Sequence, residues 1–118
     1  MSERTRLEKG LEIRRAVVGA DYVERSYAKA GDFGKDFQDL VTEYCWGQSW
    51  GREALSRRDR SLLNIAMIAT LGRSAELALH LRGALRNGVS LEEIKDTLIH
   101  TAIYAGIPRA NHAIRIAR

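Results

Sequence analysis

A single proline, Pro108, in 118 residues, with glycines falling between stretches of helical periodicity, leaves this chain little room to be anything but helical. Few strand signals compete. The length suits one domain spanning residues 1–118, and 45% apolar with 29% charged residues is the composition of a globular protein. The longest uncharged run, Ser61 to Gly72, is too short to span a bilayer, and no charged-then-apolar leader opens the chain, so the expected address is cytoplasmic with no membrane partner.

Punctuation divides the chain into about six helices. The first runs from Ser2, a candidate N-cap, to Val18, with Gly19 ending it. A short piece over Tyr22–Lys29 breaks at Gly31. A third begins near Asp32 or Gly34, with Phe33, Phe37, Leu40, Val41 and Tyr44 on one face. Trp46-Gly47-Gln48-Ser49-Trp50-Gly51-Arg52 interrupts the period and reads as a bent functional or interface loop with two aromatic anchors. Ser56 and Asp59 resemble a cap for a helix reaching Leu71, apolar almost all round and therefore expected to be central and buried. Gly72 closes it, Ser74 is placed to cap a helix to Asn87, and Gly88 stops that one. Ser90 and Glu93 form a capping box opening Leu91–Ala105, and a last helix is expected over Arg109–Arg118.

The richest chemistry lies on the fourth helix. At 100° per residue Arg73, Glu76, His80, Gly83 and Asn87 share one narrow stripe, with Leu77, Leu81, Ala84 and Leu85 beside it. Glu76 and His80, four residues apart, are neighbours on a helix, and a carboxylate beside an imidazole raises its pKa and fixes its tautomer, a pairing suited to proton transfer near neutral pH. The same spacing fits a purely structural surface pair, with Gly83 present for close packing. On the next helix His100, Tyr104 and Glu93 face away from the apolar stripe, and Tyr104 with Ile103 suggests burial against another subunit. His112, near the C-terminus, reads as a surface residue. Three dispersed histidines without H-x-x-x-H spacing give no case for a metal site. Cys45 is the sole cysteine, which removes an intrachain disulfide and a dithiol redox motif. The net charge of +4 comes from 19 basic residues, 15 of them arginine, a residue that grips carboxylates bidentately. These charges are spread along the chain without a basic tail or aromatic-interleaved stripe, which argues against nucleic acid as a partner.

From Glu43 to Ala113 the sequence resembles the carboxymuconolactone decarboxylase family. The resemblance is carried by Trp46-Gly47, Trp50-Gly51-Arg52, Leu55 through Asn64, Gly72-Arg73 to Glu76-Leu77 and His80, Arg82-Gly83-Ala84 with Asn87-Gly88, and Ala102 through Pro108. Gly51 and Glu53 stand where a serine and a proline are expected. The resemblance implies an all-α, alkylhydroperoxidase D-like helical bundle, oligomeric, as a homohexamer or homotrimer. It also implies cofactor-free decarboxylation of γ-carboxymuconolactone, a small anionic lactone, to β-ketoadipate enol-lactone in protocatechuate breakdown. In the family's thiol peroxidase branch a C-x-x-C precedes a histidine by four residues; counting back from His80, those positions are Glu76 and Arg73, so peroxidase or disulfide reductase chemistry is the lesser alternative, beside a non-catalytic oligomeric binding protein. On the decarboxylase reading His80 is the acid that reprotonates the dienolate and Glu76 orients it and repels the leaving carboxylate. One of Arg58, Arg60 and Arg73 holds the carboxymethyl group that stays, Trp46 or Trp50 walls the leaving carboxylate, Gly83 admits the ring, and Asn87 or Tyr104 donates to the carbonyl.

Overall fold

The computed structural model describes residues 5–118. Among these the chain is all-α, as the proline and glycine pattern demands: α1 (Arg6–Val18), α2 (Ala20–Leu40), a π-helical stretch (Val41–Ser49), α3 (Arg57–Leu71), α4 (Ser74–Arg86), α5 (Leu91–Ala105) and α6 (Ile107–Ala117). They fall into two compact units, Met1–Leu55 and Ser56–Arg118.

In the first unit, Thr5 caps α1 by accepting the Glu8 N–H at 3.1 Å; the expected cap, Ser2, lies outside the described residues. The break expected at Gly31 is present: within α2 its φ of 61° and ψ of −162° are non-helical, so two helical pieces meet there at a kink. The apolar face beyond the bend is turned outward: Phe33, Phe37, Leu40 and Tyr44 are all exposed. The Trp46–Arg52 segment is not a loop for most of its length. It continues α2 as a π-helix, where the Trp50 N–H reaches back five residues to the Cys45 carbonyl at 3.0 Å, and only then turns. Its wider coil is held against α1 by a glycine on each partner. A Cβ at Gly10 would overlap the Thr42 carbonyl, and one at Gly47 would lie 2.5 Å from the Arg6 carbonyl oxygen.

Beside that contact sits a buried polar relay. The Arg14 side chain, only 5% exposed as a residue, donates from Nη1 to Thr42 Oγ1 (2.9 Å) and from Nη2 to Gln38 Oε1 (3.0 Å). Thr42 lies 3.0 Å from the Tyr27 hydroxyl, which donates to Asp39 Oδ1 at 2.8 Å, and Lys35 reaches the other Asp39 oxygen at 2.6 Å. Lys35 first, and Tyr27 second, hold the Asp39 carboxyl below its ordinary pKa. The guanidinium also lies 5.9 Å from the Tyr27 ring centroid.

The second unit packs four helices around Ile65, Ala69, Leu77, Leu81, Ala84, Val89, Ile94, Leu98 and Ala113. Ser56 caps α3 through the Asp59 N–H at 3.0 Å, and Gly72, at φ 72°, closes it in the left-handed conformation. α3 is not buried all round. The Ser61–Ile65–Ala69 row faces the core, whereas Leu63, Met67 and Leu71, another row at i, i+4 spacing, are exposed. Ser74 does not cap α4. It is the first helical residue, with Arg73 at the cap position, and its hydroxyl is turned to α6. The Ser90–Glu93 capping box is complete and α5 runs over Leu91–Ala105 as expected. α6 starts two residues earlier than expected, because Pro108 fits its first turn, where a missing N–H breaks no helical bond.

Candidate active site

The polar stripe of α4 is present from its first turn. Arg73 Nη2 lies 3.5 Å from Glu76 Oε1, one turn further on, and the two side chains are 66% and 49% exposed. His80 follows a turn later and is half-buried. Burial pushes the His80 imidazole below its usual pKa, and the Glu76 carboxylate, pulling the other way, is the smaller influence. This reverses the expectation that the carboxylate would raise it: an exposed carboxylate already facing an arginine attracts the imidazolium less than the apolar surroundings disfavour it. Lowered from an ordinary value already below 7, the His80 pKa favours the neutral imidazole at pH 7.

Further along the stripe, Gly83 is buried on the core side of α4, and Asn87 fastens the helix end to α3, donating from Nδ2 to Ser61 Oγ at 2.9 Å and to the Arg57 carbonyl at 3.4 Å. That commits the Asn87 amide nitrogen to a structural bond. Arg58 is paired with Glu93, the capping-box acid of α5, and lies 3.8 Å from Asp59. Arg60 is half-buried on α3. Tyr104 is 81% exposed on α5, its ring 4.9 Å from that of His100. Trp46 and Trp50 belong to the first unit, where they are buried and stack on each other with centroids 4.9 Å apart. The structure thus gathers Arg73, Glu76 and His80 on two turns of α4, ties Arg58 and Asn87 into helix contacts, and leaves Tyr104 outward-facing.

Spacing along α4 gave no sign of what α6 contributes. His112, read as a surface residue, lies at the surface with its Nε2 2.9 Å from the Ser74 hydroxyl, a contact its neighbours in sequence did not suggest. The Arg109 guanidinium rests against Gly72, so closely that a Cβ there would collide with it. Both contacts span more than 35 residues of sequence, and the only hint of them is Pro108, which fixes where α6 begins. Among the described residues no group of three His, Cys, Asp or Glu side chains is arranged to hold a metal ion. Cys45 is exposed on the π-helical stretch of the first unit, while the two positions that carry cysteines in the thiol branch hold the Arg73–Glu76 ion pair. The α4 cluster can thus supply a proton-transfer group beside anion-binding arginine.

Comparison with known proteins places the chain in a family. Residues 35–118 match the carboxymuconolactone decarboxylase family. The chain is 41% identical over 117 residues to the 4-carboxymuconolactone decarboxylase of Acinetobacter baylyi, covering 99% of this chain and 87% of that protein. It is 38% identical over 111 residues to the nitrosuccinic acid decarboxylase of Metarhizium robertsii, covering 94% of this chain and 78% of that one. A 4-carboxymuconolactone decarboxylase sequence from Pseudomonas putida matches at 38% identity over 47 residues, 40% of this chain and 98% of the relative. An all-α chain with this helical stripe, matched by the family along 35–118, belongs to the carboxymuconolactone decarboxylase family.

Proposed function

We propose that this chain decarboxylates γ-carboxymuconolactone to the β-ketoadipate enol-lactone without a cofactor, with residues 1–118 acting as one functional domain. The observation that carries this reading is the Arg73–Glu76–His80 cluster on α4, in a chain similar over 99% of its length to a 4-carboxymuconolactone decarboxylase. The carboxylate on the γ-carbon leaves as CO2, and the electron pair of the broken bond spreads through the double bond into the lactone carbonyl. The dienolate so formed needs a proton. Burial makes His80 hold its proton weakly, but a dianionic substrate beside it favours the imidazolium, so substrate binding draws in the proton that His80 then delivers to carbon. The Glu76 carboxylate favours the charged form of His80 and so eases this uptake, and Arg73, 3.5 Å from Glu76, offers a guanidinium to the substrate. Of the three candidate arginines, Arg58 is paired with Glu93 on α5 and Arg73 with Glu76 on its own helix.

The nitrosuccinic acid decarboxylase relative favours a second, coarser reading. Its substrate is also a dicarboxylate whose lost CO2 leaves electrons on an oxygen-bearing acceptor group, so the site fits a class of activated dicarboxylates. We read the chain as self-associating as well. Ile103, Tyr104 and Ile107 are 74%, 81% and 70% exposed, a run of large apolar side chains around the end of α5 that a solvated surface rarely carries. The test is an ultraviolet assay of freshly generated γ-carboxymuconolactone with the wild type, His80→Ala and Glu76→Gln. Turnover lowered about 10²-fold or more in His80→Ala, with helicity and melting unchanged, supports the reading. Equal turnover in wild type and His80→Ala sinks the assigned role of His80. No turnover by a well-folded wild type moves the substrate to another activated dicarboxylate.

A further inference from the structure

We propose that Arg109 is a substrate-binding and specificity-determining residue of the α4 site, gripping the carboxylate that is not lost; this rests on the decarboxylase reading above. Three observations lead there. First, α6 delivers the Arg109 guanidinium to Gly72, the residue immediately before Arg73, so it stands at the end of the stripe that carries Glu76 and His80. Second, its place is built into the backbone. Gly72 has φ 72°, which already favours glycine, and the space its missing Cβ leaves is the space the guanidinium occupies. Third, its charge is available. Arg58 faces Glu93 and Asp59, and Arg73 faces Glu76, whereas among the described residues Arg109 makes no ion pair. The Ser74–His112 bond at 2.9 Å, three residues along α6 from Arg109, ties this end of α6 to the first turn of α4 and keeps the guanidinium in register with the stripe.

The spacing suits the substrate. Seven residues of helix separate Arg73 from His80, a rise of about 10 Å, so a guanidinium at the Gly72 end and an imidazole at His80 span a molecule of the size of a carboxymethyl lactone. A cation at the far end, away from the bond that breaks, binds ground state and transition state alike. It therefore lowers KM and selects dianions, and leaves the chemical step to His80. Arginine suits this role through its planar fork, which matches a carboxylate with two parallel N–H donors.

The experiment compares wild type, Arg109→Gln and Arg109→Lys in two arms. In the first, γ-carboxymuconolactone and its analogue methyl-esterified at the carboxymethyl group are turned over. Arg109→Gln is expected to raise KM for the dianion about tenfold or more, to change kcat by less than about threefold, and to leave KM for the ester unchanged, with Arg109→Lys in between. In the second arm, binding of glutarate, an unreactive dicarboxylate, is measured by calorimetry, and Arg109→Gln is expected to weaken it by a similar factor. Glutarate binding that depends on Arg109 in a protein that does not turn over the lactone would retire the substrate and keep Arg109. Lactone turnover with the same dianion KM in wild type and Arg109→Gln overturns the inference and keeps the function. A loss confined to kcat, or wild-type protein that binds no glutarate, also overturns it.

Discussion

At the scale of single residues, His80 shows how burial and a neighbouring charge compete. Its carboxylate partner was legible in the sequence, since Glu76 and His80 are four apart, but burial was not, and burial decides the sign. The consequence for stability is specific. Folded His80 holds its proton less tightly than unfolded His80, whose pKa is about 6.5. Above that pH both states are neutral and His80 has no effect; as pH falls through it, the unfolded state gains a proton that the folded state resists, and stability falls until the folded pKa is passed. Urea midpoints at pH 7.5 and 5.5 are expected to differ less in His80→Gln than in the wild type. An unchanged difference would mean the folded and unfolded imidazoles titrate together. Arg109 and His112 were illegible for another reason: their partners Gly72 and Ser74 lie on a different helix, and no periodicity encodes which ends of two helices meet.

At the scale of elements, Ser56, Gly72 and Ser90 were readable to the residue, because each acts through its own backbone or the next turn, whereas the cap expected at Ser74 was not, its hydroxyl being drawn to another helix. The π-helical stretch was not. Its residues lose the 3.6 period, which in a sequence looks the same as a loop, and what holds them in a wider coil is the contact of Gly10 and Gly47 with backbone on the opposite side. That contact is testable. Gly47→Ala places a Cβ 2.5 Å from the Arg6 carbonyl oxygen, backbone that cannot swing aside, and is expected to destabilise the first unit by about 1–3 kcal/mol in chemical denaturation. An unaltered midpoint would show that α1 can back away from the π-helix without loss. The sequence also presented α3 as apolar all round. The structure separates that into an inward row and an outward row of Leu63, Met67 and Leu71, a distinction that periodicity alone does not make.

For the molecule as a whole, outward-facing apolar side chains are the most conspicuous property of the surface, and the sequence hinted at them through Ile103 and Tyr104 on the wrong side of α5. If that face joins copies of the chain, Ile103→Glu combined with Ile107→Glu is expected to shift the protein to a smaller species in light scattering behind a sizing column, with its helical circular dichroism retained. The same mass for variant and wild type would remove this face from any interface. The division into two units has an optical corollary. Both tryptophans of the chain, Trp46 and Trp50, stack together inside the first unit, while the α4 site belongs to the second. Intrinsic fluorescence is thus a dye confined to one half: it follows the melting of the π-helix and its neighbours. A fluorescence transition that departs from the loss of helical circular dichroism would therefore show the two units melting separately, and coincident transitions would show them unfolding together.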